Sequence, residues 1–165
     1  MNEQLQKRKN IRIRDYDYSA DGVYFITICT KNKEKILSSI NVENTNVKLT
    51  PLGEIVEKHI NNLNDLYKHI DVFNYVIMPN HIHLIVGIGI TNNISLSAND
   101  GSPRAATPTI PKLVNALKSL CSKNVGFSMW QRNYYEHIIR NEHEYNLVYK
   151  YVEENPLAWI YDKYY

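Results

Sequence analysis

The dipeptide Pro79-Asn80 constrains the fold of this chain more than any other feature, because it is a two-residue turn signal set between two β-type runs. Asp71–Met78 precedes it, and His81-Ile82-His83-Leu84-Ile85-Val86-Gly87 follows, so the two runs read as an antiparallel hairpin. Side chains alternate faces along a strand: His81 and His83 share one face, and Ile82, Leu84 and Val86 enter the layer on the other. Neutral imidazole is the commonest side-chain metal ligand, so the pair makes half a metal site. The same pattern also describes two polar positions on the solvated face of an amphipathic strand.

The remaining elements arrange themselves around that hairpin. Val23–Thr30 is β-branched and aromatic and reads as a buried strand, followed by a polar basic turn from Lys31 to Lys35. A weaker strand falls near Asn46–Leu49. Thr50-Pro51 opens a helix to about Tyr67, with Leu52, Ile55, Val56, Ile60 and Leu63 on one stripe. Residues 91–108 hold Asn, Ser, Gly, Pro and Ala with little to bury, and read as an exposed, mobile loop. Thr109 caps a helix to about Lys123 that turns Leu113, Val114, Leu117 and Leu120 inward and sets Lys112 and Lys118 on or beside its outer stripe. Tyr134–Ile139 is a short strand. Asn141 opens the last helix as N-cap, with Glu144 at the capping-box position. Strand, helix, strand, strand, helix, strand, helix implies an α+β fold. It is a ferredoxin-like split βαβ antiparallel sheet with helices on one face and an added C-terminal helix.

At 165 residues the chain reads as one domain, able to bury about two-thirds of its unfolded surface. Only Cys29 and Cys121 are present, without a C-x-x-C, which excludes a disulfide framework and a thiolate zinc site. No apolar run approaches the ~20 residues of a membrane span, and no apolar signal segment is visible, so a cytoplasmic protein with no membrane partner is expected. The net charge of +2 is unevenly placed. Residues 1–14 set Lys7, Arg8, Lys9, Arg12 and Arg14 against Glu3, a net of +4, which leaves −2 for the rest. A basic arm on a near-neutral body suits contact with nucleic-acid phosphates, or simple solubilisation.

On the last helix, at about 100° per residue, Tyr145, Val148 and Val152 form a core stripe. Tyr151 and Asn155 lie one turn apart on its flank, where a phenol and a carboxamide can face the same spot. Pro156 is expected to end the helix directly behind them.

Three separated motifs occur in this order: Pro79-Asn80-His81-Ile82-His83, then Trp130-Gln131-Arg132-Asn133-Tyr134-Tyr135-Glu136-His137-Ile138-Ile139-Arg140-Asn141, then Tyr151-Val152-Glu153-Glu154-Asn155-Pro156. Together with Arg14-Asp15-Tyr16-Asp17-Tyr18-Ser19 and the Tyr24–Thr30 strand, the chain resembles the REP-associated tyrosine transposases, within the HUH single-strand transposases and endonucleases, over nearly its whole length. The resemblance implies a single transposase-like domain, a metal-dependent single-stranded DNA endonuclease and strand transferase working through a 5′-phosphotyrosine. It implies Tyr151 as the nucleophile and His81, His83 and Asn155 as ligands of a divalent ion, Mg²⁺ or Mn²⁺. Relatives often carry Gln where Asn155 stands, and Asn is one methylene shorter. Tyr134, Tyr135, Tyr145 and Tyr149 are the rival nucleophiles. The implied partner is hairpin-forming single-stranded DNA, handled by a monomer or homodimer. Its contacts are assigned to the basic arm, Lys112, Lys118, Arg132 and Trp130, a residue that suits a stacked base or a core position equally. A nucleic-acid-binding protein of the same fold without catalysis is the alternative.

Overall fold

The computed structural model describes residues 22–67, 69–89 and 109–161; the basic arm and the 91–108 segment lie outside them. Four strands form the main sheet: β1 (Gly22–Cys29), β4 (Ile70–Ile77), β5 (His81–Ile88) and β6 (Tyr135–Ile139), ordered β4-β5-β1-β6. Every neighbouring pair is antiparallel. The chain leaves β1, crosses by helices to β4, and turns back through Pro79-Asn80 so that β5 slots between the two. This is the expected split βαβ arrangement. β5 is buried at all eight positions, as its near-continuous apolar run requires of a strand covered on both faces. The hairpin closes with the Met78 amide donating to the His81 carbonyl at 2.9 Å.

One face of the sheet carries α1 (Pro51–Asn61), a single turn α2 (Leu63–Leu66) and α3 (Ile110–Val125). Tyr24, Ile26 and Ile28 from β1 and Ile82, Leu84, Val86 and Ile88 from β5 meet Val56, Ile60, Leu113, Val114 and Leu117 there. The helix expected to run unbroken to Tyr67 breaks at Asn62. The Thr50 hydroxyl accepts from the Gly53 amide, capping α1, and Gly53 sits so near the Leu37 carbonyl that any Cβ would collide with it. Thr109 precedes α3 in extended conformation, but its hydroxyl makes no capping bond; α3 ends on Gly126 at φ 81°. A two-stranded ribbon, β2 (Ser38–Ile40) with β3 (Val47–Leu49), is fastened to the sheet by the Ser38 hydroxyl donating to the Ile77 carbonyl at 2.8 Å.

The opposite face carries one helix, α4 (Glu142–Tyr161). Val152, with Tyr145, Val148 and Tyr149, packs it on Phe25, Ile85, Ile139, Phe73 and Val76. Asn141 caps it by accepting from the Glu144 amide at 2.8 Å. The Glu144 carboxylate accepts from the Arg140 amide at 2.7 Å and pairs with the His137 ring at 2.6 Å, in place of the expected return to the Asn141 amide. Pro156 does not end the helix, which continues to Tyr161. Losing one N–H is tolerated because the segment beyond it is held by Trp159, whose ring lies 6.0 Å from that of His81 with the Lys35 ammonium 5.4 Å from its centre. Among the described residues no helix is long and apolar enough to cross a membrane.

Candidate active site

β5 turns His81 and His83 toward α4, each 4% exposed. Their Nε2 atoms converge to 3.0 Å. Their Nδ1 atoms are held from behind: His81 Nδ1 lies 2.6 Å from Asn80 Oδ1, and His83 Nδ1 lies 2.8 Å from the Thr27 hydroxyl, directly across the β1–β5 ladder. Burial pushes the His81 pKa down to about 4, with Lys33 adding to the fall and a hydrogen bond to Asn155 opposing it. Burial, and then His81 itself, pushes His83 down to about 3. Both rings are therefore neutral at physiological pH, the state a metal ligand needs.

Each neutral ring carries one N–H. Asn80 Oδ1 only accepts, which fixes the His81 proton on Nδ1 and leaves Nε2 bare. His83 has two choices. With its proton on Nε2 it donates to His81, and the Thr27 hydroxyl donates to Nδ1. With its proton on Nδ1 it donates to Thr27, and two lone pairs then point into one space. In that second tautomer, held in place by Asn80 and Thr27, the two rings could hold a cation. Among the described residues no group of three His, Cys, Asp or Glu side chains can hold a metal. The Asn155 carboxamide, 6% exposed and hydrogen-bonded to His81, is the neutral group beside them that could add an oxygen donor. The donor set fits a divalent ion that keeps several waters.

Tyr151, 45% exposed, lies one turn before Asn155, with its ring 5.3 Å from that of His83 and 5.9 Å from Phe25. Phe25 in turn stacks on His83 at 5.1 Å. Tyr151, Asn155 and Trp159 thus form one i, i+4, i+8 stripe above the two histidines. Trp159 lies one further turn along the same spacing, beyond the Pro156 at which the sequence predicts the helix to stop. Tyr145 and Tyr149 pack with Phe73 instead. The Tyr134 hydroxyl donates to Glu136, and Tyr135 stands 52% exposed with its ring edge-on to Phe25.

The residues assigned to DNA contact are not gathered here. Lys7, Arg8, Lys9, Arg12 and Arg14 lie outside the described residues. Lys112 is exposed on α3, on the other side of the sheet. Lys118 aims its ammonium at three carbonyls, Gln131 at 2.9 Å and Arg132 and Asn133 at 3.2 Å, which occupies all three of its protons. Burial lowers its pKa to about 8. It is a strap on the 131–133 segment rather than an open phosphate contact. Trp130 is 6% exposed and packs with the core, its indole N–H buried without a hydrogen-bond partner. Away from the histidines, the exposed Arg132 lines a cavity of about 350 Å³ together with Lys118, Trp130, Ser119, Ser122 and Ser128, which gathers three of the assigned residues in one place.

Residues 18–155, a span that includes His81, His83, Tyr151 and Asn155, match the family described as "Transposase IS200 like". An uncharacterized protein of Haemophilus influenzae (strain Rd) is 37% identical over 175 residues, covering 99% of this chain and 96% of that one. A solved structure of a REP-associated tyrosine transposase bound to a REP hairpin is similar with a TM-score of 0.60 and 16% identity, over 94% of this chain and 74% of the other. At that identity the likeness is one of fold.

Proposed function

The chain belongs to the IS200-like transposases, and from that premise we propose that it cleaves and rejoins single-stranded DNA through a covalent bond to Tyr151, with a divalent ion held by His81, His83 and Asn155. One observation carries the reading: α4 and β5 bring a solvent-accessible phenol, a buried carboxamide and two converging imidazoles together around one point.

The chemistry follows from these groups. A bound divalent ion would neutralise and polarise the phosphodiester oxygens. Mn²⁺ suits two nitrogens and an oxygen at least as well as Mg²⁺, which prefers oxygen ligands. His81 and His83, kept neutral by burial and oriented by Asn80 and Thr27, are ready to bind without first losing protons. The Tyr151 hydroxyl attacks phosphorus and gives up its proton to solvent. The bond from phosphorus to the 3′ oxygen breaks, leaving a 5′-phosphotyrosine and a 3′-hydroxyl that takes up a proton. The phosphotyrosine retains the ester, so attack by another 3′-hydroxyl reverses the step and joins strands without a nucleotide cofactor. The proposed substrate is a hairpin-bearing single strand, because the phosphate has to bend into a cleft between a helix and a sheet, which a paired strand resists. The hairpin bound by the structural relative supports this choice.

The test is a covalent adduct. Incubating the protein with a labelled hairpin-bearing single strand and Mn²⁺ is expected to give a labelled band that survives denaturing electrophoresis. Tyr151→Phe, which keeps the ring against His83 and Phe25, is expected to give none while binding the DNA as before. An adduct on the Phe variant would reject Tyr151.

A further inference from the structure

α4 packs over β4 and β5, and next to it on the same face β1 and β6 present Thr27, Cys29 and Tyr135. His83, Thr27 and Tyr135 stand on one rung of the sheet, since Thr27 is paired with both of the others. Two strand spacings, roughly 10 Å, separate Tyr135 from His83 along that rung, a distance that a nucleotide's sugar and base can bridge. The exposed Tyr135 ring is edge-on to Phe25 at 6.3 Å, as Tyr151 is at 5.9 Å from the α4 side. Phe25 therefore braces both tyrosines.

A second feature lies past the other end of the histidine pair. Beyond Cys29, which is paired with His81, β1 runs into the turn Lys31–Lys35. That turn is stitched to the hairpin that carries the histidines: the Thr30 amide donates to the Asn80 carbonyl at 2.9 Å, and the Leu37 amide to the Pro79 carbonyl at 3.0 Å. Within it Asn32 and Lys33 adopt φ of 54° and 55°, a left-handed conformation that side chains rarely take without a compensating reason. Lys31, Lys33 and Lys35 are all exposed, with Glu34 the lone acid among them. A cationic turn is thus rigidly seated beside His81, and an exposed aromatic beside His83.

We propose that these two features set the course of a single strand across the site: a base next to the reacting phosphodiester stacks on Tyr135, and phosphates on the other side of it lie against Lys31 and Lys33. This rests on the single-strand reading above and adds the track to it. Stacking on an aromatic ring is open to every base, so Tyr135 supplies affinity and position rather than sequence choice. The lysines supply the salt-dependent part.

The experiment uses the full chain and a hairpin-bearing single strand that the wild-type protein cleaves, together with copies in which each nucleotide flanking the cleaved bond is made abasic in turn. Tyr135→Leu is expected to bind the intact strand roughly tenfold more weakly, and Tyr135→Phe like wild type. One abasic position is expected to weaken wild type by a similar factor and to leave Tyr135→Leu unaffected. Lys31→Gln with Lys33→Gln should keep that abasic pattern and lower the slope of log affinity against log salt by about 0.7 per lysine. Equal binding by wild type and Tyr135→Leu, persistence of every abasic effect in that variant, loss of cleavage in Tyr135→Phe, or an unchanged salt slope would each overturn the track. A wild-type protein that neither binds nor cleaves such strands would overturn the proposed function instead.

Discussion

Acid should weaken the metal-free protein through His81 and His83, by an amount that can be worked out. In the unfolded chain a histidine titrates near pH 6.5; in the folded protein burial holds these two at about 4 and about 3. The folded state refuses protons that the unfolded chain accepts, so the stability gained by keeping both rings neutral is complete above about pH 6.5. It is lost as pH falls from there toward the folded values. At pH 5 each ring is about 1.5 pH units below its unfolded pKa and still neutral when folded, which costs about 2 kcal/mol per ring and about 4 kcal/mol for the pair relative to neutral pH. The figure hardly depends on the folded values as long as both lie well below 5. Against a total of about 5–15 kcal/mol for a domain, it is a large loss. The assay is urea unfolding at pH 7 and pH 5 with chelator present, followed by fluorescence of Trp130 and Trp159. The reference is the double variant His81→Gln with His83→Gln. His59, the His137–Glu144 pair and the other carboxylates are common to both proteins and cancel in the difference. Wild type is expected to lose about 4 kcal/mol more than the variant. A difference under about 1 kcal/mol would refute the account of two neutral buried imidazoles.

Mn²⁺ at about a hundred times its dissociation constant should stabilise the wild-type protein by about 2.7 kcal/mol, read as a rise in Tm; His83→Ala should abolish the rise and Asn155→Ala should reduce it, and an equal rise in all three would place the ion elsewhere. Lys118→Met should cost about 2 kcal/mol by stranding three carbonyls, without changing the salt dependence of DNA binding; a flattened salt dependence at full stability would make Lys118 a phosphate contact after all.

The parts of the fold legible in the sequence are those set by local periodicity. Alternation along His81–Ile88 predicts both layers correctly, and a spacing of four puts Tyr151 and Asn155 over the same rings. What escaped depends on partners remote in sequence. Ser38–Ile40 has almost no intrinsic strand signal and is defined by β3 and by the Ile77 carbonyl. Lys118 looks like any solvated helix cation until the carbonyls of residues 131–133 fold over it. Trp130 could serve a core or a base, and it is the bridge to Thr30 and the packing against the core that set its burial, neither of which is visible locally. At Pro156 the local rule for ending a helix yields to the tertiary seat of Trp159 on His81. A helix stopped at Pro156 would lack Trp159, the third member of the stripe.

The tether at the start of α4 has a kinetic consequence. Glu144 ties the first turn of the helix to Arg140 and to His137 on β6, and only Arg140 and Asn141 connect strand to helix. So short and so firmly pinned a join leaves the helix no slack to reach across to a second copy, and each polypeptide lays its own phenol over its own imidazoles. Adduct yield per chain in single-turnover experiments should then be independent of protein concentration. An equimolar mixture of Tyr151→Phe and His83→Ala chains should stay inactive, because neither can lend the other what it lacks.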